Sequence, residues 1–179
     1  YVVEELRYGN AQFFVFALCV VALFLLRDRP VWAAGALGLA ISLKVWPMYF
    51  LPYLAARREW KSAAWTLAFV AILALIPSFY FGPAGNLSLL NQWAHQELTT
   101  QTGENEVWFP SQSLRGVMMR YLTAIDYTVV PDSNYPPVNF TSLAPPLVRN
   151  ASLAFAGIGY CALLIAAHRY AKLKAMAPN

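Results

Sequence analysis

The sequence contains few charged residues: Asp, Glu, Lys and Arg together make up 12% of its 179 residues. A typical soluble domain carries about 25%. A disordered chain combines low hydrophobicity with high net charge, and 59% of this chain is hydrophobic. The composition therefore argues against both a soluble fold and a disordered chain.

Cysteine and histidine are also scarce, with two residues of each type. Cys19 and Cys161 both lie in apolar runs, where free cysteines pack as small hydrophobic side chains. No second Cys or His lies at the spacing that a metal site needs. The sequence predicts no metal, no cofactor and no disulfide, and the modest net charge of +4 indicates no nucleic-acid partner.

Long apolar runs dominate the chain, at the length of about 17–25 residues that membrane-spanning helices need. We predict an all-α, polytopic transmembrane helical bundle, with residues 1–179 forming part of one integral membrane domain. The chain begins with Tyr1 rather than Met, and no basic region precedes the first apolar run. We therefore expect part of a longer membrane protein rather than a signal peptide. The predicted membrane segments are 11–26, 31–56, 62–82 and 150–168, and 83–149 is a long extracytoplasmic loop containing short helices.

The basic residues predict how segment 31–56 is arranged. If it crossed the membrane once, the two basic clusters on either side of it would face opposite sides, against the positive-inside rule. If it enters and returns on the same side, three clusters face the cytoplasm together. These clusters are Arg27 and Arg29; Arg57, Arg58 and Lys61; and Arg169, Lys172 and Lys174.

A segment of this length that enters and returns on the same side must be a pair of half-helices or two short tilted helices, because it is too short for two full crossings. Its 26 residues span about 39 Å as one helix, whereas two full passes need about 60 Å. Pro47 favours a break because it has no amide hydrogen and disfavours a helical Trp46. Irregular backbone at membrane depth needs protein or water around it, which predicts a polar cavity near Lys44. One long tilted helix with a proline kink is the competing interpretation.

Lys44 is the clearest candidate binding residue. A lysine at membrane depth costs about 2.5–3.5 kcal/mol, and no Asp or Glu lies in the apolar runs to pair with it. An anionic ligand such as a phosphate would suit it. The alternatives are a lysine that reaches the membrane surface, or one paired with an acid elsewhere.

The polar loop supplies the remaining candidates. Residues 91–97 mix amides, an aromatic ring, an imidazole and a carboxylate, as a sugar site would. Trp93 offers a flat apolar face, and His95 can act as a general acid or base; the alternative is an ordinary surface helix. Ser113 is expected to cap a short amphipathic helix through Leu122 on the membrane surface. Arg115 and Arg120 would reach lipid phosphates there, or simply anchor the helix.

The order of these features resembles glycosyltransferase family 87, membrane enzymes of the GT-C architecture that use polyprenyl-phosphate sugars. The usual opening of the family, Gly-Gln-x-Asn, appears here with the two amides exchanged. The matching elements are Gly9-Asn10-Ala11-Gln12, Leu37-Gly38-Leu39-Ala40-Ile41-Ser42-Leu43-Lys44-Val45-Trp46-Pro47, the basic turn 53–61, Phe81-Gly82-Pro83 and Gln112-Ser113-Leu114-Arg115-Gly116.

The resemblance implies transfer of a sugar, mannose or a relative, from a polyprenyl-phosphate donor to a lipid or glycan acceptor. It also implies inversion at the anomeric carbon, no nucleotide in the active site, and an extracytoplasmic site at a bacterial plasma membrane. The general base of the family is expected to be an Asp in a first outer loop, which here would lie upstream of Tyr1. A secondary transporter with broken helices and a non-catalytic membrane subunit are the alternative functions.

This resemblance and the chemistry of sugar transfer from a phosphate donor suggest a role for each candidate residue. Lys44 and Arg115 would stabilise the departing phosphate. His95 is the candidate catalytic residue of this chain, and it would line the sugar pocket with Trp93 and Gln112. The amides of Asn10 and Gln12 would hydrogen-bond at the rim of that pocket.

Overall fold

A computed structural model describes residues 12–102, 113–125 and 137–176. The regular elements in these ranges are helical, which confirms the predicted all-α class for this part of the chain. A 3₁₀ turn (Trp46–Tyr49) lies between the second and third helices. The helices are α1 (Gln12–Leu25), α2 (Pro30–Leu43), α3 (Phe50–Ala56), α4 (Trp60–Leu75), α5 (Ser78–Thr102), α6 (Leu114–Leu122) and α7 (Pro145–Met176).

The chain divides into two compact units. Unit 1 comprises Tyr1–Gln92 and Leu163–Asn179, and within it lie α1 to α4, the start of α5 and the end of α7. Unit 2 comprises Trp93–Ala162 and contains α6 and the first part of α7.

In unit 1, α1 and α2 form an antiparallel hairpin. The turn between them is closed by a hydrogen bond of 2.8 Å from the Arg29 amide to the Leu25 carbonyl. Each helix buries one stripe of side chains at helical spacing, as an amphipathic helix does. Because both helices have 14 residues, the start of α1 lies level with the end of α2. The buried stripes consist of Val15, Cys19, Ala22, Leu26, Ala33, Leu37 and Ala40.

The other side of α2 packs along α4, and the two helices run in the same direction. Near the start of α2, Ala34 lines a crevice together with Ser62, which lies near the start of α4. Further along, a Cβ atom added to Gly38 would lie only 2.7 Å from the Cβ of Phe69. Small residues allow this close approach of two helix backbones. Since α2 and α4 are parallel, the connection between them must carry the chain back along α2.

The 3₁₀ turn and α3 make this return. Leu54 of α3 is buried in the α1–α2 core and lines the same crevice as Leu26 and Ala33, which lie where α2 begins. Residues 44–59 therefore return the chain to the end from which α2 started. The helix that begins at Pro30 ends at Leu43 and does not run unbroken to Ala56. How 31–56 lies in the membrane stays a prediction.

The predicted segment 62–82 differs from the structure. α4 ends at Leu75, the chain bends by 101°, and α5 runs from Ser78 to Thr102, into the first part of the region expected to be a loop. Pro77 lies at this bend, where its missing amide hydrogen interrupts the helical hydrogen bonds. Gly82, at which the sequence predicts a helix end, instead forms a kink inside α5 with φ 70° and ψ 163°.

α7 is longer than the predicted segment 150–168, and it begins with Pro145 and Pro146, which need no amide hydrogen in a first turn. Among the described residues, its stretch Pro145–Leu173 is the one helix long and apolar enough to cross a membrane. The bent pair of α4 and α5 would be a second if it formed one broken span. The polytopic bundle and the extracytoplasmic position of 83–149 stay predictions.

In unit 2, Ser113 caps α6 as predicted. Its hydroxyl oxygen accepts a hydrogen bond of 3.0 Å from the Gly116 amide. At the other end of the helix, the Tyr121 carbonyl accepts from the Phe140 amide and the Leu122 carbonyl from the Leu143 amide, each at 2.8 Å. These bonds satisfy carbonyls that a helix end leaves free and tie the segment 137–144 to α6.

Candidate functional site

The two ends of unit 1 differ in chemistry. The end at which α2 and α4 begin carries the turns before these helices, with Arg27, Arg29, Arg57 and Arg58. We call it the basic end. The opposite end, where α2 stops at Lys44, is called the tip end. Lys44 is therefore separated from the basic clusters by the length of α2, which is about 21 Å for 14 residues.

Arg57 ties the last helix to the basic end. Its Nη1 donates a hydrogen bond of 3.0 Å to the Tyr53 hydroxyl, and its guanidinium carbon lies 5.7 Å from the Tyr53 ring centre and 5.6 Å from the Tyr170 ring centre. The hydrogen bond with Tyr53 raises the pKa of the Arg57 guanidinium, although burial opposes this shift. Since Tyr170 follows Arg169, the third basic cluster lies at the same end of unit 1 as the first two.

Lys44 occupies the break between α2 and the 3₁₀ turn. Its backbone is extended, with φ −150° and ψ 138°, and its amide donates a hydrogen bond of 3.0 Å to the Ala40 carbonyl. The side chain is half-buried. Within the ranges that the structure describes, its ammonium has no hydrogen-bond or ion-pair partner. Lys44 is therefore available to an anion.

The residues after Lys44 give the tip end an amphiphilic character. Pro47 is the buried second residue of the 3₁₀ turn, which a hydrogen bond of 2.9 Å from the Met48 amide to the Val45 carbonyl closes. Trp46 and Tyr49 remain exposed. A cation beside exposed aromatic side chains suits a ligand that has both an anionic and an apolar part.

The hairpin brings two of the sequence-predicted residues to the same end. Gln12 begins α1 and lies level with the end of α2, and so it lies at the tip end with Lys44. Its side chain is exposed. Asn10 and Gln112 lie outside the described residues.

The other candidates belong to unit 2. Trp93 and His95 are exposed side chains of α5. Because they are two residues apart on a helix, they do not face each other, and the structure does not bring them to one side of α5. Arg115 is half-buried in the first turn of α6, next to the Ser113 cap.

Asn86 is a structural residue that the sequence analysis missed. It is only 3% exposed, and its Nδ2 donates hydrogen bonds of 2.8 Å to both the Ala74 carbonyl and the Ser78 hydroxyl. It thereby holds the bend between α4 and α5. The only sequence feature that pointed to this role was an amide side chain shortly after Gly82 and Pro83. Its partner, the Ala74 carbonyl twelve residues earlier, can be identified only from the structure.

An apolar crevice between α1, α2, α3 and α4 lies toward the basic end, away from Lys44. The buried Ser62 hydroxyl lines it and has no hydrogen-bond partner among the described residues. Ser62 lies inside α4, which begins at Trp60. The apolar lining of the crevice does not suit a phosphate or a sugar.

In the part of the chain that the structure describes, no three His, Cys, Asp or Glu side chains come together as metal ligands would.

One comparison with known proteins gives a match. The family model described as glycosyltransferase family 87 matches residues 1–177. No curated protein and no solved structure matches the chain.

Proposed function

This chain belongs to glycosyltransferase family 87, and we propose that it transfers mannose from a polyprenyl-phosphate donor to a lipid or glycan acceptor on the extracytoplasmic side of the membrane. Membership makes the protein a membrane glycosyltransferase, which needs a sugar donor and an acceptor. The observation that carries the finer proposal is the Lys44 ammonium, which lies at the tip end without a partner among the described residues.

The chemistry of transfer needs a cation where Lys44 would act. An oxygen of the acceptor hydroxyl attacks the anomeric carbon, and the bond between that carbon and the phosphate oxygen breaks. The electron pair of this bond stays with the polyprenyl phosphate, which leaves with one more negative charge. A positioned ammonium stabilises this charge as it develops, and it does so more strongly away from bulk water.

The separation of charge in unit 1 supports an extracytoplasmic reaction. Three basic clusters lie at the basic end, and the positive-inside rule assigns such an end to the cytoplasm. The tip end, with Lys44 and Gln12, then points away from the cytoplasm. A donor phosphate would reach Lys44 from the lipid or from the outer side.

The remaining residues have proposed roles at the same reaction. Trp93, His95 and Gln112 are proposed to line the sugar pocket, and Arg115 is proposed to bind a phosphate of the substrate. Asn10 and Gln12 hydrogen-bond at the rim of the pocket. The proton of the acceptor hydroxyl passes to an Asp expected upstream of Tyr1, as the family resemblance implies.

A transfer assay with the full-length protein in liposomes tests the role of Lys44. The donor is radiolabelled polyprenyl-phosphate-mannose, and the readout is label in the acceptor. We expect Lys44→Met to lower kcat by about 100-fold or more, as loss of one charge-stabilising group does in other enzymes, and Lys44→Arg to recover part of it. Lys61→Met, a change of an exposed lysine at the basic end, is the matched control and should leave kcat unchanged.

A lysine that only caps α2 would behave differently, since its effect would be on stability, at about 0.3–1 kcal/mol. Unchanged transfer by Lys44→Met, with or without a lower unfolding temperature, would overturn the phosphate role. If the wild type transfers label from a nucleotide sugar and not from the lipid-linked donor, the proposed donor class is wrong.

A further inference from the structure

Unit 2 displays an exposed pair of stacked aromatic rings. The rings of Tyr121 and Phe140 are 5.2 Å apart at their centres and within 9° of parallel. The Phe140 side chain is 84% exposed. Leu114 lies two turns before Tyr121 on the same side of α6, and it is exposed as well. We call Leu114, Tyr121, Phe140 and the exposed Leu143 the aromatic platform.

The fold holds these side chains outward. The Phe140 and Leu143 amides both donate to carbonyls in the last turn of α6, at 2.8 Å. The Ser113 cap fixes the other end of the same helix. The exposure of Phe140 is therefore part of a hydrogen-bonded arrangement and does not come from an untethered loop.

The platform lies next to the start of the apolar span. Phe140 precedes Pro145 by five residues, which is at most about 18 Å of extended chain. Pro145–Leu173 is the helix with the length and composition to cross a membrane. Tyr, Trp and basic side chains are enriched where such helices meet the headgroups.

We propose that the aromatic platform inserts into the membrane–water interface, with Arg120 and Arg149 directed to anionic lipid headgroups. The Arg120 guanidinium carbon lies 6.0 Å from the Tyr121 ring centre, and Arg149 is exposed in α7 shortly after its start. Aromatic rings at the headgroup level and arginines at phosphates are the two contacts that such an interface offers.

A glycan is the other ligand that stacks on aromatic rings, and the composition of the platform favours lipid. A sugar site needs hydrogen-bonding side chains around the ring face, whereas the other two members of the platform are leucines. The platform would hold α6, and with it Arg115, at the depth of the lipid phosphates. The inference rests on the chain being a membrane protein and not on its donor or reaction.

Site-directed spin labelling of the full-length protein in liposomes tests the platform. Cys19 and Cys161 are first replaced by Ala, and a nitroxide is then attached to Phe140→Cys or, as the control, to the neighbouring exposed Thr141→Cys. We expect the label at 140 to be reached more readily by oxygen than by a water-soluble nickel chelate, and the label at 141 to show the opposite preference. Raising the phosphatidylglycerol content should deepen the label at 140, and Arg120→Gln with Arg149→Gln should remove this dependence.

Three results would overturn the proposal: equal access of the chelate to both labels, a depth at 140 that ignores lipid charge, or a label at 140 that stays in water and is immobilised by added oligosaccharide. The last result would identify a glycan site. A photoreactive benzoylphenylalanine at 140 gives a second readout, since it should capture radiolabelled phosphatidylglycerol and the same group at 141 should not. Neither measurement involves sugar transfer, so the inference and the proposed function can fail separately.

Discussion

Gly38 and Phe69 set how closely α2 and α4 pack. A Cβ atom at Gly38 would lie 2.7 Å from the Phe69 Cβ and 3.4 Å from the Thr66 carbonyl oxygen. Real Cβ atoms do not approach each other to 2.7 Å, and the Phe69 Cβ cannot move away without shifting its backbone. The parallel arrangement that places Lys44 opposite the basic end therefore depends on a missing side chain at position 38.

We predict that Gly38→Ala destabilises the protein by about 1–3 kcal/mol, as overpacking of a close contact does. Gly35→Ala is the matched control, because its Cβ would meet the Phe69 ring at 3.6 Å, an ordinary contact. That change should be neutral or stabilise by up to about 1 kcal/mol through helix propensity. Thermal unfolding in detergent compares the two. Equal midpoints would contradict the close packing.

Asn86→Asp is predicted to destabilise the bend between α4 and α5 by about 3 kcal/mol. The change keeps the size of the side chain, but it removes both donors and leaves a buried carboxylate against the Ala74 carbonyl. Asn91→Asp, at an exposed position of the same helix, should change stability by no more than about 0.5 kcal/mol. Unfolding midpoints at neutral pH measure both. A similar loss in the two variants would mean that Asn86 does not hold the bend.

Arg57→Lys should destabilise unit 1 by about 1 kcal/mol, since lysine cannot reproduce both the hydrogen bond to Tyr53 and the contact with the two tyrosine rings. Arg58→Lys, an exposed neighbour in the same turn, is the control and should have no effect.

The Arg57 contact should not depend on pH in the working range. Its folded pKa is raised, and so its contribution is complete below the ordinary arginine pKa and is lost only as the pH rises through the higher folded value. The stability difference between wild type and Arg57→Lys should therefore be the same at about pH 5 and about pH 9. A difference that varies between these values would assign the effect to another group.

The return of the chain between α2 and α4 predicts that Arg27 and Arg58 lie on the same side of the membrane. Cysteines placed singly at these positions, in a background without Cys19 and Cys161, should react with a membrane-impermeant maleimide only after cells are permeabilised. If 31–56 crossed once, one of the two would react in intact cells. If both cysteines reacted in intact cells, 31–56 would still return to the side from which it started, but that side would be the outer one.

Local chemistry was enough to predict the features that depend on neighbouring residues. Pro47 excludes a regular helix around it, and α2 does end just before, at Leu43. Ser113 has the side chain and the following sequence of a helix cap, and its bond to the Gly116 amide confirms that prediction. The apolar composition indicated helices that together make a membrane protein.

Features that depend on distant contacts could not be predicted. The bend after α4 is stabilised by Asn86, whose side-chain amide donates a hydrogen bond to the Ala74 carbonyl. No local sequence pattern predicts such a partner. Pro77 and Gly82 look like the end of a helix, yet the chain bends at the first, kinks at the second and then continues to Thr102. The sequence also suggested that Trp93 and His95 share a pocket, and this stays a prediction, because the structure shows only that they lie two residues apart on α5 and do not face each other.

The length of α1 and α2 has a consequence for the lipid around them. Fourteen residues rise about 21 Å, whereas the hydrocarbon of an ordinary bilayer is about 30 Å thick. If this hairpin lies in the membrane with its arginine turns at the inner headgroups, as we propose, the mismatch of about 9 Å would be met by thinning of the bilayer or by water entering above the hairpin. The acyl chain length of the lipids would then affect the stability of this hairpin directly, because shorter lipids form a thinner bilayer that matches the length of the two helices.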